Sequence, residues 1–328
     1  MIPRTVSELA SMLFIPAQSI TFCAMQMGGK NTKSLGKYKG LIQSFRIKKS
    51  TGKYRLVFKF RGIVKKVLVA VSRLIQRTIP VSEHSLAYEK GRCVKAASTV
   101  LSSHKLICAA DFKDHFGSIL RVQVQSMFES HGYLPYMAWL MSRLCCVCHN
   151  SRDFLPQGSP ISPFVANRVS EFLVDKPVLD AFPDAKYYRY SDNIYLCFDD
   201  KSVNGKQTLD KLKHVIGSVV KWRMHKFKVM PYYRSQKALG LVLNYTGRMP
   251  RHEYDRLKAV LYNSVKDLPE ARIQANRLGF LDTDTDAEFV LKLGCIVSYW
   301  KQFVTETQAL KLTTLVEAIN EKANTSNC

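Results

Sequence analysis

Residues 105–119 read K-L-I-C-A-A-D-F-K-D-H-F-G-S-I. The run from Lys105 to Asp111 is short, apolar and ends on an acid, which predicts a strand that carries the Asp111 carboxylate at its tip. The chain then turns into a helix through Asp114 to Ile119. A lone acid at a strand end is most simply a capping group, so its meaning depends on what converges with it.

Two further stretches bear on it. Leu155-Pro156-Gln157-Gly158-Ser159-Pro160-Ile161-Ser162-Pro163 is a Pro/Gly-punctuated loop that opens a helix expected over 162–182. Tyr187 to Phe198 predicts a β-hairpin with Ser191-Asp192-Asn193 at its turn. Carboxylates on a strand end and a neighbouring hairpin tip can meet at one point. Two divalent cations held there stabilise the attacking and leaving oxygens of an in-line phosphoryl transfer. Mg²⁺ suits such a site because it takes few carboxylates and completes its shell with substrate phosphates; Mn²⁺ is the alternative.

The composition points the same way. The chain has 328 residues, 46% of them hydrophobic, with 49 Lys+Arg against 26 Asp+Glu and a net charge of +23. That hydrophobic share supports a sizeable core and excludes a disordered polycation. The charge asks for an anionic partner, either nucleic acid or an acidic membrane surface. It is also concentrated: Lys30 to Thr78 holds fifteen Lys/Arg and no acid, whereas an ordinary solvated face mixes signs. Within that stretch, 41–60 predicts a basic hairpin turning at Ser50-Thr51-Gly52. Residues 62–79 predict a basic helix with an apolar stripe of Val64, Leu68, Val71, Leu74 and Ile75.

No apolar run reaches the roughly 20 residues of a membrane span, so no membrane partner is expected. Residues 5–29 predict two short helices broken at Pro16. The Thr5-Val6-Ser7-Glu8 capping box argues for a helix there instead of a signal peptide. Nine cysteines without a framework spacing read as reduced thiols of a cytoplasmic protein. Elsewhere one or two helices are expected over 118–148, a helix over 208–224 and a strand over 238–244. Three final helices are expected over 250–267, 286–303 and 306–322. The pattern is α+β, a central sheet flanked by a basic N-terminal part and a helical C-terminal part.

Taken together, these segments resemble reverse transcriptases of the retron and group II intron branch, which includes bacterial defence-associated enzymes. The resemblance runs over nearly the whole chain. The family pattern D-x-K-D-F-F-x-S-I matches Asp111 to Ile119, with His115 for the first Phe. L-P-Q-G-x-P-x-S-P matches Leu155 to Pro163 in full. Y-x-R-Y-A-D-D matches Tyr187 to Asn193, with Ser191 and Asn193 as changes. Lys48 to Arg55 resembles the fingers hairpin K-x-S-G-G-K-x-R, and Glu89-Lys90-Gly91-Arg92 resembles the K-G-R-S segment before the first catalytic strand. Lys226 to Met230, Arg234-Ser235-Gln236 and Gly240 to Asn244 resemble later palm motifs, and Gly294 to Trp300 the thumb helix.

The resemblance implies a right-hand polymerase with an antiparallel palm sheet. Residues 1–104 would form N-terminal helices and basic fingers, 105–119 the first catalytic strand of the palm, and 120–154 fingers and palm helices. The palm would continue over 155–246, and 247–328 would be a helical thumb. Asp111 and Asp192 would bind metal, with Asn193 as the third catalytic position. Phe116 would gate against a nucleotide 2′-OH. Lys53 and Arg55 would grip the triphosphate, while Gln157, Gly158 and Lys226 would line the nucleotide pocket. Lys48, Lys49, Lys65, Lys66, Arg73 and Arg92 would follow nucleic acid. The implied activity is RNA-directed DNA synthesis from deoxynucleoside triphosphates on a noncoding RNA template or primer, in a retron-like or anti-phage defence setting, with an effector protein as a further partner. Two other readings stand beside it: a catalytically inert RNA-binding scaffold, and a template-independent or protein-primed polymerase.

The departures have physical consequences. Asn193 keeps one oxygen ligand but loses a charge, so the metal site becomes less anionic while Asp111 and Asp192 remain. Lys95-Ala96-Ala97 stands where retrons carry N-A-x-x-H, and Ala238-Leu239-Gly240 where they carry V-T-G. Other signals have plainer readings. Cys145, Cys146, Cys148 and His149 have no second ligand pair at zinc spacing and read as structural thiols. Asp282, Asp284 and Asp286 lack the glycine and the bidentate acid of a calcium loop, having Ala287 and Leu293 instead. Asp286 reads as a helix N-cap, with Glu288 in the first turn. His104 and His115 read as surface or nucleic-acid residues. Trp222, Trp300 and most of the tyrosines read as core, with Tyr187 and Tyr190 near enough to the site to pack against primer or template.

Overall fold

In the computed structural model, which describes residues 2–28, 40–48, 52–244 and 246–325, the chain divides into two units. One is Met1–Cys93 with Lys105–Met230; the other is Val94–His104 with Pro231–Cys328.

The first unit opens with α1 (Val6–Leu13) and α2 (Ala17–Gly28). Thr5 Oγ1 accepts from Glu8 N as the capping signature predicts, but the Glu8 carboxylate reaches back to Arg4 N and not to Thr5 N. Phe14 ends α1 in the left-handed region, two residues before Pro16. No single helix among the described residues is long and apolar enough to cross a membrane, and α1 and α2 are bent by 103° from one another. The basic hairpin follows as β1 (Ile42–Lys48) and β2 (Tyr54–Phe60), paired from Ile42↔Phe60 to Lys48↔Tyr54. Its predicted turn residues Ser50 and Thr51 lie outside the described residues. Helix α3 (Gly62–Thr78) buries Val64, Val67, Leu68, Val71, Leu74 and Ile75 and leaves Lys65, Lys66, Arg73 and Arg77 exposed, as a 3.6-residue period requires. The next helix, α4 (Val94–Leu101), belongs to the second unit.

Strand β3 (Leu106–Phe112) is buried at every position, which is why its sequence does not alternate. After it come α5 (His115–Ser118), α6 (Arg121–Ser130) and α7 (Pro135–Cys145). The helical stretch expected to reach 148 stops at Cys145. Val147–His149 and Arg152–Phe154 instead form a small hairpin, β4 and β5, around Asn150 and Ser151, both at positive φ. Three-residue strands carry no readable period, so nothing in the residue pattern announces it. Helix α8 (Ser162–Ser170) runs through a π-helical turn, Glu171–Asp175, into α9 (Lys176–Ala181), much as expected for 162–182.

The hairpin expected over Tyr187 to Phe198 is β6 (Lys186–Tyr190) and β7 (Asn193–Phe198), joined by Ser191 and Asp192. Helix α10 (Gly205–Val219), capped by Asn204, starts earlier and ends sooner than the expected 208–224. Met224 already belongs to strand β8 (Met224–Pro231). The four-stranded sheet has the order β6-β7-β3-β8, antiparallel from β6 through β7 to β3.

In the second unit the expected strand over 238–244 is a tight hairpin, β9 (Lys237–Ala238) and β10 (Leu241–Val242), turning at Leu239 and Gly240 with φ of +54° and +77°. Four helices follow where three were expected: α11 (Arg251–Lys266), α12 (Leu268–Arg277), α13 (Asp286–Trp300) and α14 (Glu306–Thr325). Asp267 caps α12 by accepting from Glu270 N. Thr285, not Asp286, caps α13; Asp286 is its first residue and pairs with Arg272 at 2.6 Å.

Candidate active site

The ladder between β3 and β7 sets Asp111 opposite Asn193, and Phe112 N donates to Asp192 O at 2.8 Å. A strand end and a hairpin turn therefore meet as the sequence implies. Asp192 is close enough to Asp111 to feel it: burial, and then the Asp111 charge, hold the Asp192 carboxyl above its ordinary pKa, while Lys226 and Arg55 pull the other way. The Asn193 amide donates from Nδ2 to Asp192 Oδ1 at 3.2 Å, leaving its own Oδ1 available as a ligand.

Strand β8 supplies Lys226 and His225 on the other side. Lys226 Nζ lies 2.8 Å from Asp111 Oδ2, and His225 Nδ1 lies 3.1 Å from Asp111 O. Lys226 takes a left-handed conformation, φ +54°. The Asp111 side chain is only 11% exposed, so the ammonium acts as the counter-charge of a nearly buried carboxylate. This arrangement fits a divalent cation: two mutually repelling carboxylates and an amide oxygen are hard oxygen donors, and a cation already sits against one of them. Among the described residues no group of three or more His, Cys, Asp or Glu gathers, so the site rests on two acids.

The basic hairpin is joined to the loop at 155–163. Phe58 N donates to Gln157 O at 2.8 Å. Gly158, at φ +93°, approaches so closely that a Cβ would stand 2.3 Å from Phe58 O. Arg55 lies exposed at the start of the same strand, β2, with Lys53 exposed just before it, and the Arg55 charge acts on Asp192. Phe116 is half-buried on α5. Lys48, Lys65, Lys66 and Arg73 are exposed; Lys49 lies outside the described residues. Arg92 is half-buried. Its guanidinium donates to Ser82 O at 2.6 Å and to Ser85 O, which makes it a brace of its own loop.

A buried network beneath the hairpin escaped the sequence reading. Arg189 is fully buried and pairs with Asp175 through two bonds of 2.9 Å. Tyr187 Oη donates to Asp175 Oδ1 at 2.6 Å, and Arg189 reaches both Asn167 Oδ1 and Asn167 O at 3.1 Å. Burial opposes the Arg189 charge, and the Asp175 carboxylate overcomes it, raising the pKa. Tyr187 is thus a core residue and not a partner for primer or template. The signal was present: Tyr187 and Arg189 alternate on one face, and a cation on an inward face needs a counter-charge. That counter-charge comes from the π-helical turn, which no local pattern announces.

Two histidines read as surface residues are buried. His104 is 7% exposed in the second unit, and His115 is 3% exposed in the first. His115 Nε2 lies 3.0 Å from Ser170 Oγ, its ring stacks on Phe112, and burial pushes its pKa down to about 3. Cys145 and Cys146 are buried free thiols, as expected.

The chain is similar to known proteins in sequence and in structure. Residues 47–243 match the family described as reverse transcriptase (RNA-dependent DNA polymerase). The chain is 27% identical to the retron Ec73 reverse transcriptase of Escherichia coli over 235 residues, covering 67% of this chain and 71% of that protein. It is also 27% identical to the retron Ec86 reverse transcriptase of the same organism over 177 residues, covering 53% of this chain and 47% of the other. The chain thus spans about half the length of the second relative. A solved structure of Candida albicans telomerase with a fragment of telomeric RNA overlaps 84% of this chain and 61% of its own, at 12% identity and a TM-score of 0.46.

Proposed function

We propose, for a chain that belongs to the reverse transcriptase (RNA-dependent DNA polymerase) family and has its right-hand polymerase fold, that it synthesises DNA on a noncoding RNA template or primer in a retron-like or anti-phage defence setting. The observation that carries the reading is the approach of the Asp111 and Asp192 carboxyls where β3, paired with Asn193, meets the β6–β7 turn, close enough for the Asp111 charge to raise the Asp192 pKa. Asp111, Asp192 and the Asn193 amide oxygen would hold Mg²⁺ or Mn²⁺. When bound, such ions neutralise charge on the attacking and leaving oxygens. A primer hydroxyl attacks the α-phosphate of a deoxynucleotide, the α–β phosphoanhydride bond breaks and pyrophosphate leaves.

This chain's own residues bind and orient. Arg55 and Lys53 offer charge-assisted bonds to the triphosphate from one side, and Lys226 offers one from the other. The Gln157-Gly158 loop, bonded to β2, closes the nucleotide pocket, and Phe116 excludes a 2′-OH. In this reading β1, β2 and α3 are fingers and the four-stranded sheet is palm. The exposed cations of α3 follow template phosphates.

The test is primer extension on a primed RNA with labelled deoxynucleotides in Mg²⁺ or Mn²⁺, with Asp111→Ala as control. Extension that the variant abolishes while RNA binding persists supports the polymerase. No extension in either metal with RNA binding retained favours the second reading, an inert RNA-binding scaffold, to which the missing carboxylate at Asn193 lends weight. Sequencing the product separates templated from untemplated synthesis. Asn193→Asp should raise Mg²⁺-dependent synthesis several-fold, and no change counts against the weakened-metal argument.

A further inference from the structure

Within residues 82–92, His84 to Leu86 lie along the open edge of β6. Arg189 N donates to His84 O at 2.8 Å, Leu86 N donates to Arg189 O at 2.7 Å, and Ser85 pairs in parallel with Arg189. His84 Nδ1 lies 3.0 Å from Tyr187 O. The segment thus extends the sheet as an irregular outer strand. Its far end is tied to α8 at two successive residues: Asn167 Nδ2 donates to Ala87 O at 2.8 Å, and Arg168 donates to the Glu89 carboxylate at 2.7 Å.

Tyr88 sits between those two anchors at φ +67°. That is a costly conformation for an aromatic residue, and one that persists only where the surroundings over-determine it. With Ala87 and Glu89 fixed, the phenol is turned onto the catalytic hairpin. Tyr88 Oη lies 2.7 Å from Ser191 Oγ. Ser191 is 8% exposed, is itself at φ +58°, and immediately precedes Asp192. It stands where the family pattern quoted above has alanine, which would offer the phenol nothing.

We propose that Tyr88 is a positioning residue for Asp192, acting through Ser191. The hydroxyl pair latches the left-handed residue of the turn to a segment anchored on α8, so that Asp192 keeps its height beside Asp111. The inference rests on the polymerase reading for its catalytic consequence. A latch used to hold Asp192 matters most when charge develops in the transition state, so its loss lowers kcat and leaves nucleotide KM and RNA affinity nearly unchanged.

The experiment uses the full chain with Tyr88→Phe, Ser191→Ala and the double variant. On a primed RNA template each single variant should lose about fivefold in kcat, the scale of one hydrogen bond. Nucleotide KM should stay within about twofold. The double variant should be no slower than the slower single one, because both remove the same bond. Thermal midpoints should agree within about 3 °C. Hydrogen exchange of the peptide over 188–195 gives a readout independent of turnover, and it should quicken equally in all three variants. If the wild type extends no primer but this exchange pattern appears, the polymerase reading fails and the latch stands. If the wild type extends and the variants turn over and exchange like it, the latch fails and the polymerase reading stands. Multiplying kcat losses in the double variant, or losses that merely track a falling thermal midpoint, also overturn it.

Discussion

Replacing His115 with phenylalanine should change how stability depends on pH more than it changes stability itself. The imidazole is 3% exposed, packed between Phe112 and Trp222, with its pKa pushed down to about 3 by burial first and then by the Arg189 charge, against a smaller opposite pull from Asp175. An unfolded histidine titrates near 6.5. Below that value the unfolded chain takes up a proton that the folded chain refuses, so this group's contribution is complete above about pH 6.5 and is lost as pH falls toward about 3. The linkage slope gives a loss of about 1.4 kcal/mol between pH 7.5 and 5.5, and roughly as much again by pH 4.5. Phenylalanine carries no such term. It forfeits the Ser170 bond, a pH-independent cost of about 1 kcal/mol, and adds ring area to an apolar site. Denaturant midpoints of wild type and His115→Phe should be measured at pH 7.5, 6.5, 5.5 and 4.5. Other carboxylates titrate in both proteins, so the difference between the two curves is the quantity to read. It should tilt in favour of the variant by about 1.4 kcal/mol per pH unit once below 6. Parallel curves would refute the reasoning, because they would mean that His115 protonates as freely in the folded chain as in the unfolded one.

Other expectations follow from the same geometry. Asp175→Asn should cost on the order of 3–5 kcal/mol by chemical denaturation, since it leaves the Arg189 charge buried without its counter-ion. Making both positions methionine should recover much of that stability but not primer extension, which would assign the pair to shaping the hairpin. Gly158→Ala has to satisfy both a left-handed backbone and a Cβ 2.3 Å from Phe58 O. It should therefore displace the loop from β2 and raise nucleotide KM by about tenfold or more, a cost on the scale of local backbone strain; an unchanged KM would remove the loop from the pocket. Changing Lys65, Lys66 and Arg73 together to alanine should weaken RNA binding at every sequence and reduce the slope of log K against log salt by about 2, the counterions released by three single-strand phosphate contacts.

What could be read in the sequence was whatever is local. The 105–119 run, the Pro/Gly loop and the turn after Tyr190 each carry their structure within a few residues, and the acids they deliver do meet. The basic helix was legible because its stripe of Val64, Leu68, Val71 and Ile75 repeats along one face. Contacts between distant segments were not. Asp175 meets Arg189 through a π-helical turn, Tyr88 meets Ser191 from a loop, and His115 is buried because Ser170 and Trp222 arrive from elsewhere. Very short elements were also missed: the hairpin at Val147–Phe154 has strands of three residues, and β9 with β10 replaced one longer expected strand.

The central place of β3 has a consequence for how the chain is made. Its seven residues are all buried, yet its ladder partner β7 begins about 80 residues later and β8 later still, which at 5–20 residues per second is roughly 4–16 s of synthesis. Throughout that interval an apolar strand carrying Asp111 near its end has been made without its sheet. Helices α6 and α7 emerge soon after it and can shelter it, but the hydrogen-bonding edges stay open until the second acid has been translated. A nascent chain halted between α9 and β6 should therefore bind holdase chaperones and precipitate readily, whereas one released after β8 should not.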